Sequence, residues 1–181
     1  LFHAAAGGVG QIFCQWAKSL GCKVIGTVGS EDKINIAKKN GCDFVINYSK
    51  DDFAKKVLEF TKGKGVPVVY DGVGKNTFHK SIECLKTRGM MVSFGNASGS
   101  LENIDVKKSM QPKGLYFTRP SMWHYLSTQD ELKEGSSIMF EKIKLGQIKI
   151  DVYKKYRLDD VKQAHADLES RKITGPAILI P

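Results

Sequence analysis

The sequence is poor in cysteine, and its cysteines stand far apart: Cys14, Cys22, Cys42 and Cys84. This spacing lacks the close pairs of a structural zinc site and the density of a small disulfide-linked scaffold. We therefore expect reduced thiols, most of them buried.

Histidines are as sparse, namely His3, His79, His124 and His165. They have neither metal-ligand nor catalytic-triad spacing, so we expect surface or capping roles, no metal and no catalytic side chain among them.

Long apolar runs are also absent. No run reaches the roughly 18 residues that a membrane-spanning helix needs, and the first residues lack the charged start and apolar stretch of a signal peptide. We expect a soluble, cytoplasmic protein without a membrane partner.

Internal repeats, low-complexity tracts and an obvious linker are missing too. With 41% hydrophobic residues, the chain of 181 residues can bury the core of one domain, with at most an appendage.

Acidic residues are in the minority, which leaves a formal net charge of +9. Clustered lysine and arginine can bind nucleic acid by neutralising phosphates. Here the cations alternate with acids, and no nucleic-acid-binding motif accompanies them, so a solvated surface is the favoured interpretation. A nucleic-acid partner is therefore not expected, although the charge leaves a nucleotide- or RNA-binding module open as an alternative.

The chain does contain a regular alternation of short β-branched runs and longer amphipathic segments, which is typical of β-α-β units in a parallel sheet. Strands are predicted at residues 23–28, 44–47, 66–71, 89–94 and 114–118. Helices are predicted at residues 8–20, 31–40, 51–61, 77–85 and 130–145, with Ser30 as the cap of the second. Residues 95–113 are interpreted as a long connection. The predicted fold class is α/β, with a doubly wound parallel sheet of the Rossmann type.

A cluster of small residues stands between the first apolar run and the first helix. Ala5, Gly7 and Gly10 occupy the small positions of a dinucleotide-binding turn, with alanine in place of the usual first glycine. Small residues there allow a tight turn, a close approach of the backbone to a pyrophosphate and close packing of helix on strand. A plain turn that leads into a helix is the alternative, but the periodic helix and the strand that follow favour nucleotide binding.

The end of the second predicted strand lacks the acidic side chain that binds the ribose of NAD. Ser30 and Lys33 can instead offer a hydroxyl and a cation to a 2′-phosphate, which favours NADP. Either residue alone is equally well explained as a helix cap or a solvated first-turn residue. Glu31 and Asp32 suit a helix N-terminus and are expected to point away from the ribose.

Several motifs in their order and spacing resemble one family. They are HAAAGGVG at 3–10, GTVGS at 26–30, VINY at 45–48, VYDGVG at 69–74, VSFGN at 92–96, TRPS at 118–121, and the closing segments at 169–171 and 175–181. They are similar to the nucleotide-binding half of the NADPH:quinone oxidoreductases, the zinc-free, zeta-crystallin-like branch of the medium-chain dehydrogenase/reductase superfamily. The resemblance covers the whole chain.

The resemblance implies a domain division. In that family a GroES-like catalytic barrel precedes this region, so the chain would be part of a longer polypeptide. Residues 1–147 would form the NADP-binding domain, with its first strand truncated at the start. Residues 148–181 would return toward the absent barrel, and exposed apolar groups such as Ile178, Leu179 and Ile180 would favour self-association.

The resemblance also implies cofactor contacts at the carboxyl ends of the strands. They are Gly7, Gly8, Val9, Gly10, Gly29, Ser30, Lys33, Tyr48, Gly72, Val73, Gly95, Asn96, Phe117, Thr118, Arg119 and Arg171. Gly8 and Val9 would contact the pyrophosphate, and Tyr48 would donate its hydroxyl to the 2′-phosphate. Apart from the resemblance, Tyr48 is equally well a partly buried aromatic at a strand end, and Arg171 a solvated residue at a helix end.

The activity implied is the reduction of quinones by NADPH. Hydride transfer from a nicotinamide needs no protein nucleophile, so no catalytic residue is assigned. An enal or enone double-bond reductase is the enzymatic alternative. Relatives in the family form homodimers through the strand near residues 114–118, so a homodimer is expected.

Overall fold

The computed structural model describes residues 1–170 and 173–181. Its strands are β1 (Ile25–Val28), β2 (Phe44–Asn47), β3 (Val66–Asp71), β4 (Leu85–Ser93), β5 (Tyr116–Thr118), β6 (Lys154–Arg157) and β7 (Ala177–Ile180). Its α-helices are α1 (Gly8–Ser19), α2 (Asp32–Lys39), α3 (Phe53–Phe60), α4 (Phe78–Cys84), α5 (Val106–Ser109), α6 (Gln129–Lys144) and α7 (Val161–Glu169). Short 3₁₀ turns lie at Gln111–Lys113, Met122–His124 and Leu158–Asp160.

Residues 1–5 join two groups of strands into one parallel sheet. On one side β1 pairs with β2, and on the other β3 pairs with β4, which pairs with β5. Phe2 forms parallel bridges to Gly26 of β1 and to Tyr70 of β3, so the opening segment is the centre of the sheet. The strand order is therefore β2, β1, residues 1–5, β3, β4, β5. This is the order of a dinucleotide-binding sheet, whose direction of winding changes beside its first strand.

Helices cover both faces of this sheet. On one face, α1 and α2 pack on sheet residues such as Phe2 and Val28. On the other face, α3 and α4 pack on Val69 and Met91. The doubly wound α/β fold predicted from the alternation of apolar segments is thus confirmed.

Three details differ from the sequence-based expectations. Strand β4 begins at Leu85 rather than at residue 89, because Leu85 pairs with Val66 ahead of a register shift in the ladder. The expected cap at Ser30 is wrong: Glu31 takes the N-cap position of α2 and makes no capping hydrogen bond within the described chain. The connection at residues 95–113 contains the short helix α5, which Asp105 caps through its carboxylate.

The C-terminal segment forms its own small sheet. Strands β6 and β7 pair in parallel, and α7 lies between them in sequence. Several contacts attach this segment to the main domain. Among them, the Gln15 amide group bonds to both the N–H and the carbonyl of Lys149, and Lys39 pairs with Asp151 at 2.8 Å. All of β7 is exposed, as expected for its isoleucines and Leu179. The sequence pattern did not predict β6, α7 or β7.

Candidate functional site

The turn before α1 presents backbone amides at the sheet edge where the winding changes direction. Gly7 is the N-cap residue in an extended conformation, and it has no side chain with which to cap the helix. Because Gly8, Val9 and Gly10 are the first residues of α1, their N–H groups have no carbonyl partner within the helix. The helix dipole adds a partial positive charge at this end. The turn is therefore suited to an anionic group such as a pyrophosphate.

Gly10 is required by the close contact between α1 and the opening segment. A Cβ atom on Gly10 would lie 2.5 Å from the Ala4 carbonyl oxygen and 2.8 Å from the Ala5 Cα. The alanine that replaces the first glycine of the motif is accommodated by β1. A Cβ on Gly26 would lie 2.7 Å from the Ala5 Cβ, so glycine at position 26 leaves room for the Ala5 methyl group.

The ends of β1 and β2 form a corner next to this turn. The register pairs Val28 with Asn47, which places the residues after both strands side by side. The Tyr48 ring lies over Gly29, where a Cβ atom would be 2.7 Å from the tyrosine oxygen. The Lys33 amide donates to the Ser30 carbonyl at 3.3 Å. The structure thus places Tyr48 against Gly29, next to the turn that carries Ser30 and Lys33; we call these four residues the phosphate corner.

The acidic residue beside the phosphate corner is engaged elsewhere. The Glu31 carboxylate accepts a hydrogen bond from Lys50 Nζ at 2.8 Å and one from Asn47 Nδ2 at 3.4 Å. The bond from Lys50 holds the pKa of Glu31 below its ordinary value, so the carboxylate is ionised at neutral pH. Its side chain is therefore directed toward the chain that follows β2.

The loops after β3 and β4 touch through their backbones. A Cβ atom on Gly95 would lie 2.5 Å from the Gly72 carbonyl oxygen. The Ser98 amide donates to the Val73 carbonyl at 2.8 Å, next to Asn96. The structure thus brings Gly72, Val73, Gly95 and Asn96 together, at the same edge of the sheet as the glycine turn.

Asp71, at the end of β3, holds the first of these loops. It is fully buried, and its carboxylate accepts hydrogen bonds from the backbone N–H groups of Val73 at 2.8 Å and Gly74 at 3.0 Å. Thr77 donates its hydroxyl to the same carboxylate at 2.8 Å, and the Ser81 hydroxyl lies 3.1 Å from it. The turn that carries Gly72 and Val73 is fixed by this one side chain.

The same network reaches the opening segment through His3. The imidazole bonds to the Ser81 hydroxyl and to the Thr27 hydroxyl, each at 2.8 Å. Burial lowers the pKa of His3 to about 4, against a smaller opposing effect of the Asp71 charge. The expected surface or capping role is therefore wrong for His3, which is a neutral, buried link between strands. The other histidines are exposed.

The residues at the end of β5 make separate contacts. Thr118 pairs with Val92 of β4. Arg119 extends beyond the strand and donates from Nη1 to the carbonyl and the hydroxyl of Ser93, at 3.2 and 3.0 Å. The Phe117 ring instead packs edge-on against Phe78, with 6.1 Å between centroids. Arg171 lies outside the described residues.

Sequence reasoning missed Asp71 and Gln11. The buried Gln11 amide donates to the Ala6 carbonyl at 2.9 Å and to the Thr174 carbonyl at 2.6 Å, which ties the glycine turn to the C-terminal segment. A polar residue on the buried face of α1 was the available signal. For Asp71 the signal was an aspartate directly after an apolar strand and before Gly72, which is typical of a turn held by its carboxylate.

Other kinds of site were sought in the same part of the chain. Within residues 1–170 and 173–181, no group of three or more His, Cys, Asp and Glu side chains could hold a metal ion. None of the helices in those ranges combines the length and the hydropathy needed to cross a bilayer. The cysteines are unpaired thiols, and all but Cys22 are buried, as expected.

Several known proteins are similar to this chain in sequence and in fold. The chain is 50% identical to quinone oxidoreductase 1 of Escherichia coli over its whole length. It is 46% identical to a 2-haloacrylate reductase of a Burkholderia species, again over the whole chain. The E. coli quinone oxidoreductase solved in complex with NADPH superposes on 99% of the chain with a TM-score of 0.96.

These relatives are longer than the chain, which spans 56% of the E. coli protein and 55% of the Burkholderia protein. The family model that matches residues 8–139 is described as zinc-binding dehydrogenase. That match begins at the first residue of α1 and covers the phosphate corner and the loops after β3 and β4. The chain therefore belongs to the zinc-binding dehydrogenase family and, within it, is similar to the quinone oxidoreductases.

Proposed function

We propose that the chain is the nucleotide-binding part of an NADPH-dependent reductase that acts on quinones. The observation that carries the proposal is the phosphate corner beside the glycine turn. It is supported by the 50% sequence identity to the E. coli quinone oxidoreductase solved in complex with NADPH. The residues of this corner carry a hydroxyl, an ammonium and a phenol, which are groups that suit a phosphate monoester. The Glu31 carboxylate, which directly follows Ser30 in sequence, is already paired with Lys50.

Each part of the cofactor has a matching group in the chain. Gly7, Gly8, Val9 and Gly10 would hold the pyrophosphate through backbone amides. Gly29, Ser30, Lys33 and Tyr48 would hold the 2′-phosphate. The crevice at the carboxyl ends of the strands would be lined by the loops after β3 and β4, through Gly72, Val73, Gly95 and Asn96. The residues at the end of β5 would lie beside it, namely Phe117, Thr118 and Arg119. Arg171 is proposed as a further phosphate contact.

Reduced nicotinamide supplies the hydride in such reductases. The residues named here therefore bind and orient, and none is proposed as a general acid, base or nucleophile. The acceptor would lie where the crevice opens beyond Gly72 and Gly95. The motifs resemble the zinc-free branch of the superfamily, so a zinc-free reaction remains our prediction.

A titration tests the cofactor assignment. The chain is titrated with NADPH and with NADH and followed by nicotinamide fluorescence or calorimetry. We expect tighter binding of NADPH and a loss of that preference in Lys33→Ala, with Lys38→Ala, at the other end of the same helix, as the matched control. Equal binding of both cofactors by the unchanged chain would contradict the assignment of NADPH.

Reduction of an activated carbon–carbon double bond is a second candidate. The observation in its favour is the 46% identity to a protein named 2-haloacrylate reductase. A panel of quinones and of haloacrylates and enones, with NADPH oxidation as the readout and the full-length protein as the catalyst, separates the two activities. An RNA-binding role would instead show as salt-dependent RNA affinity that saturating NADPH leaves unchanged.

We also propose a homodimer through the edge strand β5. Among the described strands β5 pairs with β4 alone, and Tyr116 is exposed. Sedimentation of the full-length protein tests this, since Phe117→Lys and Tyr116→Lys would shift it to the monomer. A division of the chain at residues 147 and 148 and a cytoplasmic location stay predictions.

A further inference from the structure

The ion pair between Glu31 and Lys50 lies next to the phosphate corner. Glu31 directly follows Ser30, and it is the first acidic residue after β1. Its carboxylate bonds to Asn47, whose neighbour in the chain is Tyr48, the residue that covers Gly29. Glu31 is thus linked to two residues of the phosphate corner. Ser30 precedes it in the chain, and Tyr48 follows the Asn47 to which it is hydrogen-bonded.

A free carboxylate at this place would favour the other cofactor. Enzymes that use NAD hold the ribose hydroxyls with an acidic side chain located after the second strand of the fold. A carboxylate near a 2′-phosphate is repelled by it, because both carry negative charge. Glu31 therefore has the chemistry of an NAD-type residue in a corner otherwise built for NADP.

Lys50 keeps the Glu31 carboxylate from the ribose hydroxyls and reduces its repulsion of a 2′-phosphate. Its ammonium lies 2.8 Å from Glu31 Oε2, and Asn47 donates to the same oxygen. One donor is the last residue of β2 and the other comes from the chain after it, so the carboxylate is directed away from Ser30 and its charge is balanced. Both side chains are largely exposed, at 68% for Lys50 and 65% for Glu31, so replacing them leaves the core untouched.

We propose that Lys50 is a specificity-determining residue, which sets the preference for NADPH over NADH by retaining Glu31 in this ion pair. The inference rests on the proposed function, since it assumes that the phosphate corner receives the 2′-phosphate. Lys50 acts through Glu31 and makes no contact with the phosphate. Loss of the lysine releases one negative charge near the phosphate, which at distances of several ångströms in water corresponds to about a five- to tenfold loss of affinity.

A double-mutant cycle tests the proposal. Dissociation constants for NADPH and NADH are measured at low salt for the unchanged chain, Lys50→Ala, Glu31→Gln and the double variant. Lys56→Ala serves as the matched control, since it breaks a surface ion pair of similar geometry, to Glu59 at 3.0 Å, on α3. Circular dichroism melting checks that every variant is folded.

We expect Lys50→Ala to weaken NADPH binding by about five- to tenfold while NADH binding stays equal or tightens. Glu31→Gln in the Lys50→Ala background should restore the affinity for NADPH, and Lys56→Ala should change neither constant. An equal loss from Lys50→Ala with and without Glu31 would overturn the proposal, because the lysine would then act on the phosphate itself. An unchanged ratio of the two constants in Lys50→Ala would overturn it as well. Failure of the unchanged chain to bind either cofactor would refute the proposed function instead, and the inference with it.

Discussion

Thr77 donates its hydroxyl to both carboxylate oxygens of Asp71, at 3.0 and 2.8 Å. The threonine stands just before α4, and the aspartate ends β3, so this contact joins the strand to the helix that follows it. The same carboxylate accepts the N–H groups of Val73 and Gly74. One buried acidic side chain thereby sets the shape of the loop that we assign to the cofactor crevice.

Removal of this carboxylate should destabilise the protein strongly. Asp71→Ala leaves the N–H groups of Val73 and Gly74 and the buried hydroxyls without their acceptor, so we expect a loss of about 3–5 kcal/mol in the free energy of unfolding. Asp71→Asn should cost less, because one oxygen remains. Urea unfolding measures both variants. A loss below about 1 kcal/mol for Asp71→Ala, within the range of ordinary surface changes, would show that other groups hold the turn.

The buried imidazole of His3 should make stability depend on pH. Burial lowers the pKa of His3 from 6.5 to about 4, so between these values the unfolded chain binds a proton that the folded chain does not. The free energy of unfolding should therefore fall as the pH falls, by about 1.4 kcal/mol per pH unit at most and by about 3 kcal/mol in total from this residue.

Urea unfolding at several pH values between 4 and 6.5 measures this slope. His3→Gln should reduce the slope by nearly one proton, whereas His79→Gln, at an exposed site, should leave it unchanged. If His3→Gln keeps the full slope, His3 is not the group responsible.

Two glycines in the first turn of α1 should respond differently to alanine. A methyl group on Gly10 would overlap the backbone of Ala4 and Ala5, so Gly10→Ala should destabilise the fold by about 1–3 kcal/mol or more. A Cβ on Gly8 would meet its nearest neighbour, the nitrogen of Pro176, at 3.7 Å, which is an ordinary contact. Gly8→Ala should thus fold normally and serve as the matched control in thermal unfolding. Equal losses in both variants would contradict the close-packing explanation.

A small change at Gly29 should affect binding more than stability. A methyl group there would lie 2.7 Å from the Tyr48 oxygen, and the tyrosine can move away because its ring is partly exposed. We expect Gly29→Ala to change the free energy of unfolding by less than about 1 kcal/mol, since surface changes are usually small.

The affinity for NADPH should fall in Gly29→Ala by about three- to tenfold, which corresponds to the loss of one ordinary hydrogen bond from a displaced hydroxyl. Tyr48→Phe should reproduce this fall without moving the ring. Fluorescence titration with NADPH measures both. A normal affinity in Tyr48→Phe would remove Tyr48 from the phosphate corner.

Much of the fold was predictable because its signals are local. The strands at residues 44–47 and 66–71 coincide with β2 and β3, since short runs rich in β-branched and aromatic residues stand out in the sequence. The small strands β6 and β7 were missed. Both are four residues long. Strand β7 is exposed throughout, and β6 is mostly charged and exposed apart from Tyr156, so neither has a periodic apolar pattern.

The amino-acid sequence by itself determined the alternation of strands and helices, the glycine turn and the place of Ser30 and Lys33 just after β1, whereas Gly29 and Tyr48 were assigned to the phosphate corner only through the family resemblance. Spacing along the chain decides these features, because parallel strands separated by helices place their carboxyl ends at one edge. Only the tertiary structure decided which partner each charged or polar group has. Glu31 turns to Lys50, nineteen positions away, and His3 bonds to Ser81, seventy-eight positions away. Such pairings depend on the register of strands and the packing of helices, which bring distant residues into contact and leave no pattern in the local sequence.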